Sequence, residues 1–324
     1  MRDSKFHLEA GAALLCLGLF AAGSAQADYP ERTISMLVGF SAGGPTDIAA
    51  RTLQPFLERH LGGANIAVVN RPGASSALMQ QELANADPDG YTIGLASMPA
   101  LVSVLFGRDV EYAIDDFDYL GTLTSSPHSL VVNVDSPYQS LDDLVEQLRT
   151  EPQSITMGGA GLGSAAHLAL MLFEAEADVS FNFVPGPGAS EMRNQVMGGF
   201  IDGGLTAVGG GAQMHAEGQG RVLGVMAAER FPLAPDLPTF AEQGYNVEWG
   251  AVRGLVAPAG LPDDVHERLV AAVEATLADP EFIEVTEQSR QAVYSLNPEE
   301  FEQLARTQYD NLEMIWEETP WIEQ

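Results

Sequence analysis

The sequence predicts an α/β protein of two lobes, each a sheet flanked by helices, with a cleft between them. Three observations predict it. Short β-branched and apolar runs alternate with helical periods along nearly the whole chain, the pattern of parallel strands joined by crossover helices. At 324 residues the chain is too long for one small sheet. Two glycine-rich turns, one in each half, each carry a strand into a helix with the same grammar.

Residues 33–40 are apolar and β-branched and read as the first strand. Gly43 and Gly44 turn the chain, Pro45 has the fixed φ of a first helical turn, and Thr46 or Asp47 can cap a helix running to about Leu61. Residues 64–70 form a second strand, and Asn70-Arg71-Pro72-Gly73-Ala74-Ser75-Ser76 turns into a helix ending near Asn85. Asp87-Pro88-Asp89-Gly90 is a strong turn ahead of a strand over 91–96. A strand over 130–134 precedes a helix over 140–151, whose Ser140-Leu141-Asp142-Asp143 start is close to a capping box. Residues 154–157 are a short strand, leading through Gly158-Gly159-Ala160-Gly161-Leu162-Gly163-Ser164 into an apolar helix. Strand 180–185, helix 189–197 and strand 222–226 follow. The last third reads as mainly helical, over 262–278, over 280–288, and in a final helix with Asn297 as cap, Pro298 first and Glu300 third. Neither an internal repeat nor a low-complexity tract interrupts the pattern.

Strand, glycine turn and helix N-terminus leave free backbone N–H groups at the positive end of a helix dipole, which suits an anion. No Gly-Lys-Ser/Thr follows the glycines, so neither turn is a P-loop. Taken singly, each turn could simply tighten a strand-to-helix connection. Two together point to a ligand with anionic groups at both ends. Asp47 reads mainly as a cap and loop staple, because it would repel a carboxylate ligand. Arg51 reads as the partner of a surface acid.

Enzyme chemistry has little support. Gly159-Ala160-Gly161-Leu162-Gly163 lacks the final offset of a dinucleotide fingerprint, and no G-x-S-x-G elbow is present. Ser164 and His167, three apart at a helix start, leave an exported Ser–His hydrolase as an alternative. His60, His128, His215 and His266 have no metal-ligand spacing, and neither a metal nor a cofactor is expected.

The N-terminus places the chain outside the cytoplasm. Arg2 and Lys5 precede an apolar stretch over residues 10–22, and Ala25-Gln26-Ala27 is an A-x-A cleavage site, so the mature chain is expected to start at Asp28. Leu15 before Cys16 argues against a lipid anchor, and the mature chain then has no cysteine. The chain carries 45 acidic and 15 basic residues; losing Asp3, Glu9, Arg2 and Lys5 leaves 43 and 13, still a net charge of −30. Lys5 is its only lysine. Self-repulsion at this charge opposes compaction unless salt screens it, so a folded protein working in high external salt is expected. Nucleic acid is excluded as a partner by the same charge.

Several ordered segments carry a resemblance. They are Tyr29-Pro30, Gly43-Gly44-Pro45-Thr46-Asp47-Ile48-Ala49-Ala50-Arg51, Asn70-Arg71-Pro72-Gly73-Ala74 and Pro88-Asp89-Gly90-Tyr91-Thr92. Gly161-Leu162-Gly163-Ser164 with His167-Leu168, Glu229-Arg230, Pro235-Asp236-Leu237-Pro238-Thr239, Glu242-Gln243-Gly244 and Ala257-Pro258-Ala259-Gly260-Leu261-Pro262 continue the set. In that order they make the chain resemble the periplasmic solute receptors of tripartite tricarboxylate transporters, also called Bug receptors, from Tyr29 to about Trp316.

The resemblance implies a Venus-flytrap protein of the periplasmic type II topology, with residues 28–125 and 226–324 in one lobe and 126–225 in the other. It implies a small carboxylate ligand (a di- or tricarboxylate or an aromatic acid), two membrane subunits as partners, and a monomer. A soluble sensor for a signalling partner would use the same fold. By position it nominates Phe40, Ser41, Ala42, Gly43, Gly44, Thr46 and Asp47 on one side of the cleft, with Gly161, Gly163, Ser164 and His167 opposite. Ser75, Ser76, Ser97, Gly186 and Asp202 complete the implied site. Departures leave the particular acid open: Val184-Pro185-Gly186-Pro187-Gly188 replaces a tyrosine and lysine at the third loop, Ala77 an asparagine, and Val252, with Arg253 beside it, an aromatic.

Overall fold

The computed structural model describes residues 29–322; the leader expected over residues 1–27 lies outside the described residues. In chain order the elements are β1 (Ile34–Val38), α1 (Pro45–His60), β2 (Ile66–Asn70), α2 (Ala77–Ala84), β3 (Thr92–Met98), α3 (Ala100–Ser103) and β4 (Phe117–Asn133). There follow α4 (Leu141–Thr150), β5 (Thr156–Ala160), α5 (Ala165–Ala177), β6 (Asn182–Gly186), α6 (Ala189–Met197), β7 (Gly203–Ala207), α7 (Val208–Ala216) and β8 (Gly220–Val225). The chain closes with β9 (Gly250–Pro258), α8 (Asp263–Leu277), α9 (Pro280–Gln288), β10 (Ala292–Val293) and α10 (Pro298–Glu318).

The fold is the expected α/β arrangement, but its sheet is mixed rather than parallel. The strand order is β2-β1-β3-β9-β4-β7-β5-β6, with β8 and β10 also paired to β4. The flanks are parallel, β2-β1-β3 on one side and β7-β5-β6 on the other. The centre is antiparallel, because β4 is one strand of 17 residues that leaves one half and enters the other. Its residues 117–127 pair with β9, and residues 128–133 pair with β7 and β8. A chain that crosses out on one strand and returns beside it must run antiparallel there.

Each half buries both faces of its sheet. Met36 and Val38 point toward Leu53 and Phe56 of α1, Leu269 of α8 and Phe282 of α9, whereas Leu37, between them, faces Leu83 of α2, Leu101 of α3 and Phe301 and Leu312 of α10. In the other half, Leu130 and Val132 pack on Leu144 of α4 and Phe173 of α5, and Val131 on Met192 of α6 and Ala212 of α7. This is the alternation of a strand covered on both sides.

The expected boundary at residue 226 falls inside the second packing unit. Phe240 and Val247 belong to the core around Leu130 and Phe173, so the segment from 226 to 249 goes with the second half, and β9 makes the return. Both crossings lie side by side: the His128 N–H donates to the Trp249 carbonyl (2.9 Å) and the Trp249 N–H to the Met226 carbonyl (3.0 Å).

Sequence periodicity missed β7, α7, β9 and most of β4. Two of these are glycine-rich for steric reasons. A Cβ on Gly204 of β7 would lie 2.7 Å from the Gly158 carbonyl, and one on Gly211 of α7 would lie 2.2 Å from the Ser129 hydroxyl. The close approach requires residues that carry weak strand and helix propensity.

Candidate functional site

The two glycine turns face the junction of the two halves, where Gly44 and Ser164 line one cavity. In the first, Gly43 has φ +75° with open space around a hypothetical Cβ, so the backbone conformation, not room, requires glycine. Its N–H donates to the Asp47 carboxylate (2.8 Å), which also accepts from Arg51 Nε and from Asn70 Nδ2 (2.9 Å). Burial would raise the Asp47 carboxyl, but these hydrogen bonds outweigh it and hold it below the usual carboxylate range. Asp47 is thus the staple of the turn. Gly44, the N-cap of α1, supplies no side-chain cap, and the first helical bond runs from the Ile48 N–H to the Gly44 carbonyl. The N–H groups of Thr46 and Asp47 precede that bond and have no intrahelical acceptor.

The second turn is held from within. Gly163, at φ +76°, donates its N–H to His167 Nδ1 (3.1 Å), and the Ser164 hydroxyl caps α5 by accepting the His167 N–H (3.3 Å). The imidazole lies against Phe183, with ring centroids 4.5 Å apart. Burial lowers its pKa to about 4, keeping Nδ1 a neutral acceptor. His167 therefore fastens the loop, and the Ser–His hydrolase reading loses its geometry, since Ser164 meets the backbone of His167 and not its ring.

Several hydrogen bonds close the cleft. Ser41 and Ser190 share a hydroxyl–hydroxyl bond of 2.7 Å. The Ser75 hydroxyl (2.6 Å) and Arg108 (3.0 Å) donate to the Leu162 carbonyl, and Ser103 donates to the Gly163 carbonyl.

Between the halves lies a cavity of about 50 Å3. Phe40, Gly44 and Thr46 from the first turn line it, with Ser97, Ser164, His128, Thr206 and Arg253. An outer cavity of about 360 Å3 adjoins it through shared walls at Gly44, Pro45, Ala189, Thr206 and Ala207, and Gly43 lines this outer space.

Arg253 dominates the inner cavity. It stands on β9 opposite Ser97 of β3 and is only 2% exposed. Its Nε donates to the Thr46 hydroxyl and its Nη1 to Gln291 Oε1, each at 3.4 Å. Among the described residues it has no carboxylate within ion-pair distance. Burial lowers its pKa to about 10, so it is a cation at neutral pH. His128, on β4, is pushed down to about 3 by burial and then by the Arg253 charge, and its Nδ1 has no partner. The Ser126 hydroxyl, two residues earlier, is equally without one.

Of the positions nominated from sequence, Phe40, Gly44, Thr46, Ser97 and Ser164 come together in the inner cavity. Ser41 and Ser75 close the cleft instead. Gly161 gives Ser75 room: a Cβ there would lie 2.5 Å from the Ser75 hydroxyl. Ser76 is buried against Gly39, whose Cβ would lie 1.8 Å from its hydroxyl. Gly186 ends β6 against the Gly159 carbonyl, and Ala42 is exposed. Asp202 is a correction. It is exposed beyond the start of β5, accepts the Thr156 N–H (2.8 Å), and lines neither cavity, because strand β5 separates that end from the glycine turn.

Sequence reasoning passed over Arg253, His128 and Thr206. Two signals were present. Arg253 is one charge in the apolar run Gly250-Ala251-Val252-Arg253-Gly254-Leu255-Val256, and His128 ends a row of alternate polar residues, Thr122, Thr124, Ser126 and His128, all buried.

A two-lobed α/β fold with an anion-suited cavity at the crossing of the lobes defines a solute-binding protein. The chain belongs to the tripartite tricarboxylate transporter family receptors, whose profile matches residues 49–320. It is 32% identical over 266 residues to the UPF0065 protein in the tcbD–tcbE intergenic region of Pseudomonas sp. strain P51, covering 80% of this chain and 78% of that one. It is 30% identical to Protein BugT of Bordetella pertussis over 220 residues, 67% of each chain. Among solved structures, MatC of Rhodopseudomonas palustris with bound malate superposes with TM-score 0.83 at 26% identity, over 89% of this chain and 99% of MatC. R. palustris Rpa4515 with adipate gives 0.84 at 26% identity, over 90% and 98%.

Proposed function

We propose that this chain is an extracytoplasmic receptor that captures a small organic carboxylate between its lobes and hands it to the two membrane subunits of a tripartite transporter. The observation that carries the reading is Arg253: a guanidinium buried in the closed cleft with only neutral protein partners. An uncompensated buried charge is costly, and a carboxylate in the adjoining cavity relieves that cost. The hydroxyls of Thr46, Ser97, Ser164 and Thr206 and the N–H groups opening α1 and α5 supply further donors. Four charge-assisted hydrogen bonds at about 1.5–3 kcal/mol each bracket the roughly 8 kcal/mol of micromolar binding, and the upper part of that range leaves a margin for ordering and desolvation.

Malate in MatC and adipate in Rpa4515 support a carboxylate ligand. Delivery to membrane subunits rests on family membership, and export on the leader expected over residues 1–27. We assign residues 128–249 to the second lobe and the remainder of the described chain to the first, because the cores divide there.

The test is a melting screen of mono-, di- and tricarboxylates and aromatic acids in molar NaCl, followed by calorimetry. A bound acid raises the melting temperature by mass action. In Arg253→Gln affinity falls about 30-fold or more, the 2–5 kcal/mol scale of a buried charged pair, while the free protein melts at the same temperature or higher because an unneutralised charge is gone. No shift with any acid, or full affinity in Arg253→Gln, sinks the reading.

A further inference from the structure

The outer cavity carries a charge pattern opposite to that of the rest of the molecule. Although acids outnumber bases 45 to 15 in the sequence, no Asp or Glu lines this cavity, and its charged side chains are Arg193 and Arg290. Elsewhere Arg32, Arg51, Arg59, Arg71, Arg230 and Arg306 are ion-paired to carboxylates, and Arg108, Arg149 and Arg221 donate to backbone carbonyls. Arg193 and Arg290, like Arg253, have no ion pair among the described residues. In a chain this rich in acids, three arginines without a carboxylate partner line two adjoining cavities, and no acid lines either.

Their placement is as informative as their charge. Arg193 stands on α6 of the second lobe, and Arg290 on the turn after α9 of the first. Arg290 is the left-handed residue (φ +53°) that ends α9, with its N–H on the Glu287 carbonyl and the Gln291 N–H on the Thr286 carbonyl, so the helix terminus fixes its backbone. Helix α7 presses on the same turn: a Cβ on Gly209 would lie 2.4 Å from the Ser289 carbonyl. Both arginines thus lie where the closed lobes meet.

We propose that Arg193 and Arg290 form a second anion clamp, one arm from each lobe, so that the preferred ligand is an elongate dianion. One anionic group sits in the inner cavity on Arg253, the chain passes Gly44, Pro45 and Thr206, and the far group lies between the two arginines. A ligand held by both lobes at both ends binds the closed form in preference to the open one and shifts the population toward closure. The inference rests on the carboxylate-receptor reading and assigns the residues that select within that class.

Calorimetry on the full mature chain at fixed NaCl tests it, using the linear dicarboxylates from succinate to suberate and the monomethyl ester of each. One dicarboxylate is expected to bind about tenfold or more tightly than its own monoester, the scale of a charge-assisted contact. In Arg193→Gln/Arg290→Gln that ratio falls toward one. Should the double variant fail to fold, the single variants serve, each lowering the ratio in part. A ratio near one in the wild type, or an unchanged ratio in folded variants, overturns the clamp and leaves the receptor reading standing. If no diacid and no monoester binds, the clamp falls, and the receptor reading falls with it only when the wider acid panel is silent too.

Discussion

Arg253 and His128 illustrate how two residues settle the character of a cavity. The guanidinium stays charged at neutral pH despite burial, and its field helps hold the imidazole neutral. A pH dependence follows. Exposed histidine titrates near 6.5, whereas His128 in the closed cleft titrates near 3. Below about pH 6.5 the unfolded or opened chain takes up a proton that the closed cleft refuses. The stabilisation is complete above pH 6.5 and is lost progressively toward pH 3. His167, lowered to about 4, adds to the same trend. The held-down carboxylate of Asp47 acts only below about pH 4, where unfolded carboxylates begin to bind protons. Between about pH 7.5 and 5 the histidines set this trend, opposed by Glu174, whose carboxyl is raised by burial, so the share of His128 is read from its variant. We expect a fall across that window that is shallower in His128→Asn. Equal slopes in the two proteins would refute this account of the imidazole.

At the level of elements, glycines serve two distinct purposes in the loops that build the cleft. Gly188, at the start of α6, has extended backbone, and a Cβ there would lie 2.4 Å from the Ser41 hydroxyl and 3.1 Å from its backbone nitrogen. Gly43 is free of neighbours but needs its left-handed φ. Gly188→Val should therefore block closure without unfolding either lobe. Ligand affinity drops about tenfold or more for a misplaced lobe contact, and scattering shows no contraction when ligand is added. Gly43→Ala should instead cost about 1 kcal/mol of stability, with Gly43→Asn recovering part of it because asparagine tolerates that conformation. Contraction of Gly188→Val on ligand addition, or equal melting of Gly43→Ala and wild type, would contradict this division of roles.

Over the whole molecule the charge balance governs stability. Ion pairs in the described residues engage eight carboxylates, against 45 in the sequence. Most of these pairs are solvent-exposed and contribute little. Repulsion among the remaining acids acts over the Debye length, which shrinks from about 30 Å at 0.01 M salt to about 3 Å at 1 M. The melting temperature should climb steeply with NaCl across that range. A flat profile would show that the acids do not destabilise the fold and would remove the case for a high-salt habitat.

Local signals determined much of this protein. The strand over residues 33–40, the Ser140 and Asn297 caps, the proline-started helices at 280 and 298, and both glycine turns were legible because each depends on residues within a few positions of one another. So were the acidic surface and the two-lobed α/β class, and the ordered motifs pointed to the family. Only the tertiary structure decided that β4 crosses between the halves, that β9 returns as an antiparallel neighbour, and that the cavity is built around Arg253. The reason is distance along the chain. Thr46 and Arg253 are 207 positions apart and share a hydrogen bond, and Ser75 meets Leu162 across 87. A window of sequence shows that Arg253 is a lone charge in an apolar strand, but whether an acid neutralises it is decided by what the rest of the chain brings alongside. Here the chain brings hydroxyls, amides and a neutral imidazole, and leaves the place of the anion to a ligand.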